Sequence, residues 1–258
     1  MGLEDREYYR LDYQPRRPAV GGWSVSSVTT WIIVINVLVF FADALLFRRG
    51  IVYVLDLRSV GVRPVVMPPL EGLGHFSAYT AIDRHQLWRF ITFQFLHANL
   101  THLLFNMIAL YFFGPLIEAY LGRLRYLAFY LLCGVGGAAS YLVLWRLGWL
   151  GTGRYQMLVG RFLPLVGASA GIYGTLIASA IVLPNATALV YGIIPVKLKT
   201  LAFIMIAIAM YMVWTNGRNA GGEAAHLGGA VVGVFLMRLG WLWRRVTAAR
   251  HRVPASRF

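Results

Sequence analysis

The chain has 258 residues, of which 59% are hydrophobic and 13% charged. A soluble globular domain is roughly 45–50% apolar and about 25% charged, so this sequence has too little polar surface to enclose its apolar residues in water. The net charge of +14, from 24 Lys and Arg against 10 Asp and Glu, does not indicate nucleic-acid binding: the basic residues stand in the gaps between apolar runs, where membrane proteins keep their cytoplasmic positive charge.

Residues 1–27 mix Arg6, Arg10, Arg16 and Arg17 with Glu4, Asp5, Glu7 and Asp12 and read as a polar tail. No small-residue cleavage pattern follows the first apolar run, so that run is expected to be a retained helix and not a signal peptide. A spanning helix needs about 20 mainly apolar residues. Six segments qualify, at 28–47, 100–121, 124–147, 163–183, 198–214 and 222–243. Their unbroken character predicts helices and not the alternating strands of a barrel. The loop 48–98, with apolar clusters such as IVYVL and VVMPPL, is expected to form short helices in the outer interface. The stretch from Ala188 to Val196 is too short to span and is expected at the bilayer edge. Trp31, Trp145, Trp149, Trp214, Trp241 and Trp243 fall near predicted helix ends, where amphipathic rings prefer the headgroup region. Cys133, the lone cysteine, reads as a small apolar filler. The expected architecture is all-α: a tail at 1–27, a six-helix membrane body at 28–243 and a basic tail at 244–258.

Six spans put both termini on one side. Fourteen basic residues of the tails and short loops fall on that side and four on the other. Six more Arg in the loop 48–98 bring the second figure to ten. The excess places both termini in the cytoplasm.

Polar groups inside spans are costly and are functional suspects by default. His102 and Asn106, four apart, share one helical face, with His97 just before the helix. Ser169 sits between Gly167 and Gly171, and His226 precedes Gly229 and Gly233 at four-residue spacing. Small residues of this kind let membrane helices approach closely, so each segment alone is also explained by packing. Together they put a hydroxyl and an imidazole on different helices at one depth, where a base can activate a nucleophile. Glu118 is expected to tie its helix end to Arg123 or Arg125, and Asp43 to be solvated. Glu223 can orient His226, but the expectation is an outward-facing carboxylate at a helix N-terminus, with Glu223→Gln leaving activity nearly intact.

The ordered segments resemble the rhomboid intramembrane serine proteases over about residues 28–243. Trp88-Arg89 is similar to the family's Trp-Arg element. His97, His102 and Asn106 fit its His-x4-His-x3-Asn pattern, and Gly114, Glu118 and Gly122 its Gly-x3-Glu-x3-Gly pattern. Gly167-Ala168-Ser169 with Tyr173 resembles the nucleophile motif, and Ala225-His226 with Gly229 and Gly233 the base helix. The resemblance implies a six-helix rhomboid-like bundle with a long membrane-associated loop between helices 1 and 2. It implies Ser169 as nucleophile and His226 as general base. His102, Asn106 and the Ser169 N–H would form an oxyanion hole, with Tyr173 holding the His226 ring and Gly167 and His97 supporting. The family usually has Gly after the serine where this chain has Ala170, whose methyl could narrow the oxyanion space and is expected to be tolerated.

The expected function is hydrolysis of transmembrane protein substrates near the outer side of the bilayer, without metal or organic cofactor. The partners are those substrates and the lipid bilayer, with no nucleic acid. The expected location is the cell membrane, the bacterial plasma membrane. The competing readings are a catalytically inactive rhomboid-like protein that binds membrane clients, a transporter, and a zinc site built from His97, His102 and His226. A transporter would usually show repeats or broken helices in matching halves, which this sequence lacks.

Overall fold

The computed structural model describes residues 27–55, 58, 63–150, 160–190, 193–217 and 219–250. Most of both expected tails, Arg154 and Arg218 of the charge count, and the side chains of Trp241 and Trp243 lie outside what is described. The described residues form helices α1 (Val28–Arg48), α2 (Pro69–Gly74), α3 (Arg89–Thr92), α4 (Leu100–Leu121), α5 (Arg123–Arg146), α6 (Ser169–Val182), α7 (Leu198–Trp214) and α8 (Ala220–Arg250). There are also two small antiparallel hairpins, β1 (Tyr53–Leu55) with β2 (Val65–Met67) and β3 (Thr187–Val190) with β4 (Ile194–Lys197).

The helices α1, α4, α5 and α8 are long and apolar enough to cross a membrane; α6 and α7 are apolar but shorter, at 14 and 17 residues. Apolar side chains cover the outside of the bundle, among them Leu38 and Phe41 of α1, Leu104 and Phe105 of α4, Phe203 of α7 and Val231 of α8. A surface this apolar is stable only against lipid, and the chain is an integral membrane protein. Helix α6 lies at the centre, every residue from Ala170 to Ser179 being buried. Helix α8 packs chiefly on α5 and α6, and α4 flanks α6 on its other side.

The α5–α6–α8 seam is made by small residues. A side chain at Gly229 would land well inside van der Waals contact of the Ala170 carbonyl oxygen, and one at Gly233 would sit 2.9 Å from the Gly174 Cα. The helices therefore touch backbone to backbone, the close approach that small residues permit where no hydrophobic force drives association.

Three expectations about the helices are corrected. The fourth span begins at Ser169, not at 163. Leu165 pairs instead with Phe76 through N–H···O bonds of 2.7 and 3.0 Å, and Gly167 at φ +134° lies outside the helical region. Glu118 reaches neither Arg123 nor Arg125. Its carboxylate accepts from Ser27 Oγ, the Val28 and Thr29 N–H groups and Thr29 Oγ1 at 2.7–2.9 Å. It thus supplies the acceptor that the free N–H groups and positive end of α1 require. Asp43 is 7% exposed and not solvated; it accepts from the Leu70 and Glu71 N–H groups at 2.7 and 2.9 Å, capping α2. Of the stretch 188–196, residues 188–190 lie in β3 and 194–196 in β4.

The loop 48–98 holds α2, α3, a π-helical turn at Tyr79–Asp83 and the β1–β2 hairpin, so the short helices expected there are present and the strands are an addition. Arg89 anchors the loop. It is 1% exposed and donates to the His75 and Gly72 carbonyls at 2.6 and 2.9 Å and to Gln86 Oε1 at 2.6 Å. Its neighbour Trp88 is exposed and donates to the Leu73 carbonyl at 3.3 Å.

Burial, with Arg89 nearby, holds His75 well below its ordinary 6.5, at about 4. The unfolded chain binds this proton more readily, so the stability His75 contributes is complete above about pH 6.5 and is lost as pH falls towards 4. The full loss is about 3 kcal/mol. Thermal unfolding in micelles is expected to move to lower temperature between pH 7 and pH 4.5, with a shallower dependence in His75→Gln. An unchanged slope in that variant would remove His75 as a source.

Candidate active site

The site is built where α4, α6 and α8 begin, at the end of the bundle that the loop 48–98 reaches. Asn99 caps α4, its side chain accepting from the His102 N–H at 2.9 Å, and this sets the first turns that carry His102 and Asn106. Residues 163–168 run up to α6 with their backbone tied to the loop, since the Gly167 N–H donates to the Phe93 carbonyl at 2.9 Å. Gly167 adopts φ +134°, where side chains are strained. A Cβ there would also sit 2.8 and 2.9 Å from the His102 ring and 3.5 Å from Ser169 Oγ. Glycine at 167 thus leaves open the space that His102 and Ser169 share.

Ser169 is the first residue of α6, and Ala168 before it offers no side-chain cap. The opening N–H groups of a helix have no intrahelical acceptor, and the dipole leaves partial positive charge there. His226 lies in the second turn of α8. Its Nε2 is 2.7 Å from Ser169 Oγ, a full hydrogen bond between residues 57 positions apart. The Tyr173 ring, one turn beyond Ser169, stacks on the imidazole at 4.1 Å between centroids and 11° between planes.

The structure brings His102 to the same place, and the His97 ring packs edge-on against it at 5.0 Å. Burial first, and His102 second, hold His97 far below its ordinary value, at about 3, so this ring is neutral at physiological pH. Both of its nitrogens are buried without a protein partner among the described residues, and so is the Asn106 Nδ2 donor.

Two expectations are corrected here. Glu223 does not face outward. Its carboxylate is 2.8 Å from His226 Nδ1, and the two side chains are 14% and 13% exposed. Their three-residue spacing allows contact on one face of α8, while a place near the helix start equally suits a solvated carboxylate. Ala170 does not narrow the space beside Ser169. Its methyl packs towards Gly137 on α5, where an added Cβ would lie 2.6 Å away. The residue that accommodates Ala170, Gly137, gave no signal of this pairing in the sequence. Both nitrogens of His226 are engaged, by Ser169 and Glu223.

A nucleophile hydroxyl bonded to an imidazole, at a helix N-terminus with spare N–H donors, can carry out acyl transfer. The match to known proteins agrees with this geometry: residues 84–243 fit the family model of the rhomboid domain. The chain belongs to the rhomboid family. It is 32% identical over 159 residues to the rhomboid protease AarA of Providencia stuartii, covering 58% of this chain and 54% of that protein. It is 30% identical over 171 residues to the mitochondrial RHOMBOID-like protein 12 of Arabidopsis thaliana, covering 65% and 48%. It is also 28% identical over 120 residues to the inactive RHOMBOID-like protein 8 of the same plant, covering 45% and 30%. The chain spans about half the length of the first two relatives. Rhomboid proteins therefore include named proteases and a named inactive member, in more than one membrane system.

Proposed function

We propose that this rhomboid is an intramembrane serine endopeptidase. The observation that carries the reading is the 2.7 Å bond from His226 Nε2 to Ser169 Oγ. In this reading His226 takes the hydroxyl proton as Ser169 Oγ attacks a peptide carbonyl, and then returns it to the leaving amine. The oxyanion meets the Ser169 N–H, His102 and Asn106. Tyr173 holds the base ring, and Gly167 and the neutral His97 keep His102 in place. No cofactor enters.

The substrates are transmembrane segments that enter from the bilayer and unwind locally, since a helix hides its carbonyls. At 1.5 Å per residue, α6 is about 21 Å long against a hydrocarbon core of about 30 Å. That shortfall supports a serine recessed about 9 Å beneath one surface. The excess of basic residues on the side of the termini supports an outward-facing site with both termini in the cytoplasm. The same reading takes 28–243 as the catalytic body and 1–27 and 244–258 as tails, and it places the protein in a bacterial plasma membrane.

The similarity to an inactive relative favours a second reading, a client-binding protein without activity. Fluorophosphonate labelling of the full chain in micelles separates the two. Wild type is expected to label and Ser169→Ala to remain unlabelled; wild type that fails to label supports the inactive reading. Within the protease reading, Asn106→Ala is expected to lower kcat about 100-fold or more, with KM little changed. A loss under threefold would remove Asn106 from the oxyanion site.

A further inference from the structure

The contact between Glu223 and His226 has a consequence for the chemistry. A carboxylate only accepts hydrogen bonds, whereas a neutral imidazole carries one proton on one of its two nitrogens. With Glu223 2.8 Å from Nδ1, that proton belongs on Nδ1, and the Nε2 lone pair faces Ser169 Oγ at 2.7 Å. This is the tautomer a base needs, and the carboxylate selects it. When the Oγ–H bond breaks and an Nε2–H bond forms, the imidazolium has a negative charge already in place at its other nitrogen.

Glu223 is itself held. Asn219, the residue just before α8, donates to its second oxygen at 3.3 Å. The ring it serves is fixed from the remaining side by the Tyr173 stack. We propose that Glu223 is a positioning residue that completes a Ser169–His226–Glu223 array in this protein, setting the tautomer and orientation of the base. The inference rests on the protease reading for its effect on rate, but the tautomer itself does not depend on activity.

Glu223→Gln is the informative variant. Asn219 donates to the outer oxygen, so a glutamine amide that keeps its oxygen there presents its NH2 to Nδ1. That arrangement places the imidazole proton on Nε2, the wrong nitrogen for a base. The expected result is a fall in kcat of about two to four orders of magnitude, with KM within threefold and the unfolding temperature unchanged. The rate of fluorophosphonate labelling should fall by the same factor, and Glu223→Asp should recover part of it. In the inactive Ser169→Ala background, 15N spectra of His226 are expected to show a protonated Nδ1, with the proton moved to Nε2 when Glu223→Gln is added. Glu223→Gln that cleaves within threefold of wild type, or a His226 tautomer indifferent to it, overturns the proposal. If wild type neither cleaves nor labels, the protease reading fails, and the spectra alone decide whether Glu223 sets the tautomer.

Discussion

His226→Ala is expected to abolish cleavage of a model transmembrane substrate, lowering kcat by roughly four to six orders of magnitude, and Ser169→Ala is expected to do the same. The physical reason is the 2.7 Å contact. A serine hydroxyl is a poor nucleophile until a base removes its proton, and without the hydroxyl the imidazole has nothing to activate. Because the two act as one unit, the double variant should be little worse than either single one. Their signatures differ in one respect. Ser169→Ala removes the acceptor of the fluorophosphonate, so labelling is lost outright, whereas His226→Ala leaves the hydroxyl and should label at a greatly reduced rate. Cleavage by His226→Ala within tenfold of wild type would require another base, and the reading would fail.

Gly229→Val should be the most damaging single change outside the site. Glycine 229 sits where α8 crosses α6, with no room for a Cβ against the Ala170 carbonyl. The obstacle is backbone of the central helix, which cannot rotate away as a side chain would. Overpacking usually costs about 1–3 kcal/mol, and a backbone clash of this kind lies at or above that upper end. Relief requires α6 and α8 to separate, which also pulls His226 away from Ser169. Thermal unfolding should therefore move sharply downward and labelling should disappear together. Gly240, further along α8, meets nothing within 4 Å of a built Cβ. Gly240→Ala there gains helix propensity, up to about 1 kcal/mol, and should unfold no earlier than wild type. Equal behaviour of the two variants would rule out the backbone contact as the cause.

Much of this arrangement was legible in the sequence because lipid imposes simple rules. Unbroken apolar runs gave α1, α4, α5 and α7 to within a residue or two, since a backbone in hydrocarbon has no alternative to the helix. Polar residues stranded in such runs drew attention to Ser169, His226, His102 and Asn106, which the structure gathers at one end of the bundle. Relations that depend on direction or on distant backbone were not legible. Periodicity cannot say whether Glu223 turns towards His226 or away, because both lie on the same helix near its start. Asp43 is met by backbone N–H groups 27–28 positions away, and Glu118 by two backbone N–H groups 89–90 positions away together with the Ser27 and Thr29 hydroxyls; any residue can supply a backbone N–H. The late start of α6 was hidden because residues 163–168 are as apolar as the helix they precede. Their pairing with Phe76 and Phe93 belongs to the fold and not to the local pattern.

That pairing has a consequence for how the protein is made. Phe76 and Phe93 emerge from the ribosome about 70–90 residues before Leu165 and Gly167, the backbone groups they bond. At roughly 5–20 residues per second, the loop is synthesised several seconds before residues 163–168 leading to Ser169. During that interval α4 and α5 must insert without displacing it. Ser169 is therefore delivered late onto a template laid down early, and any factor that holds the nascent loop open governs when its contact with His226 can form.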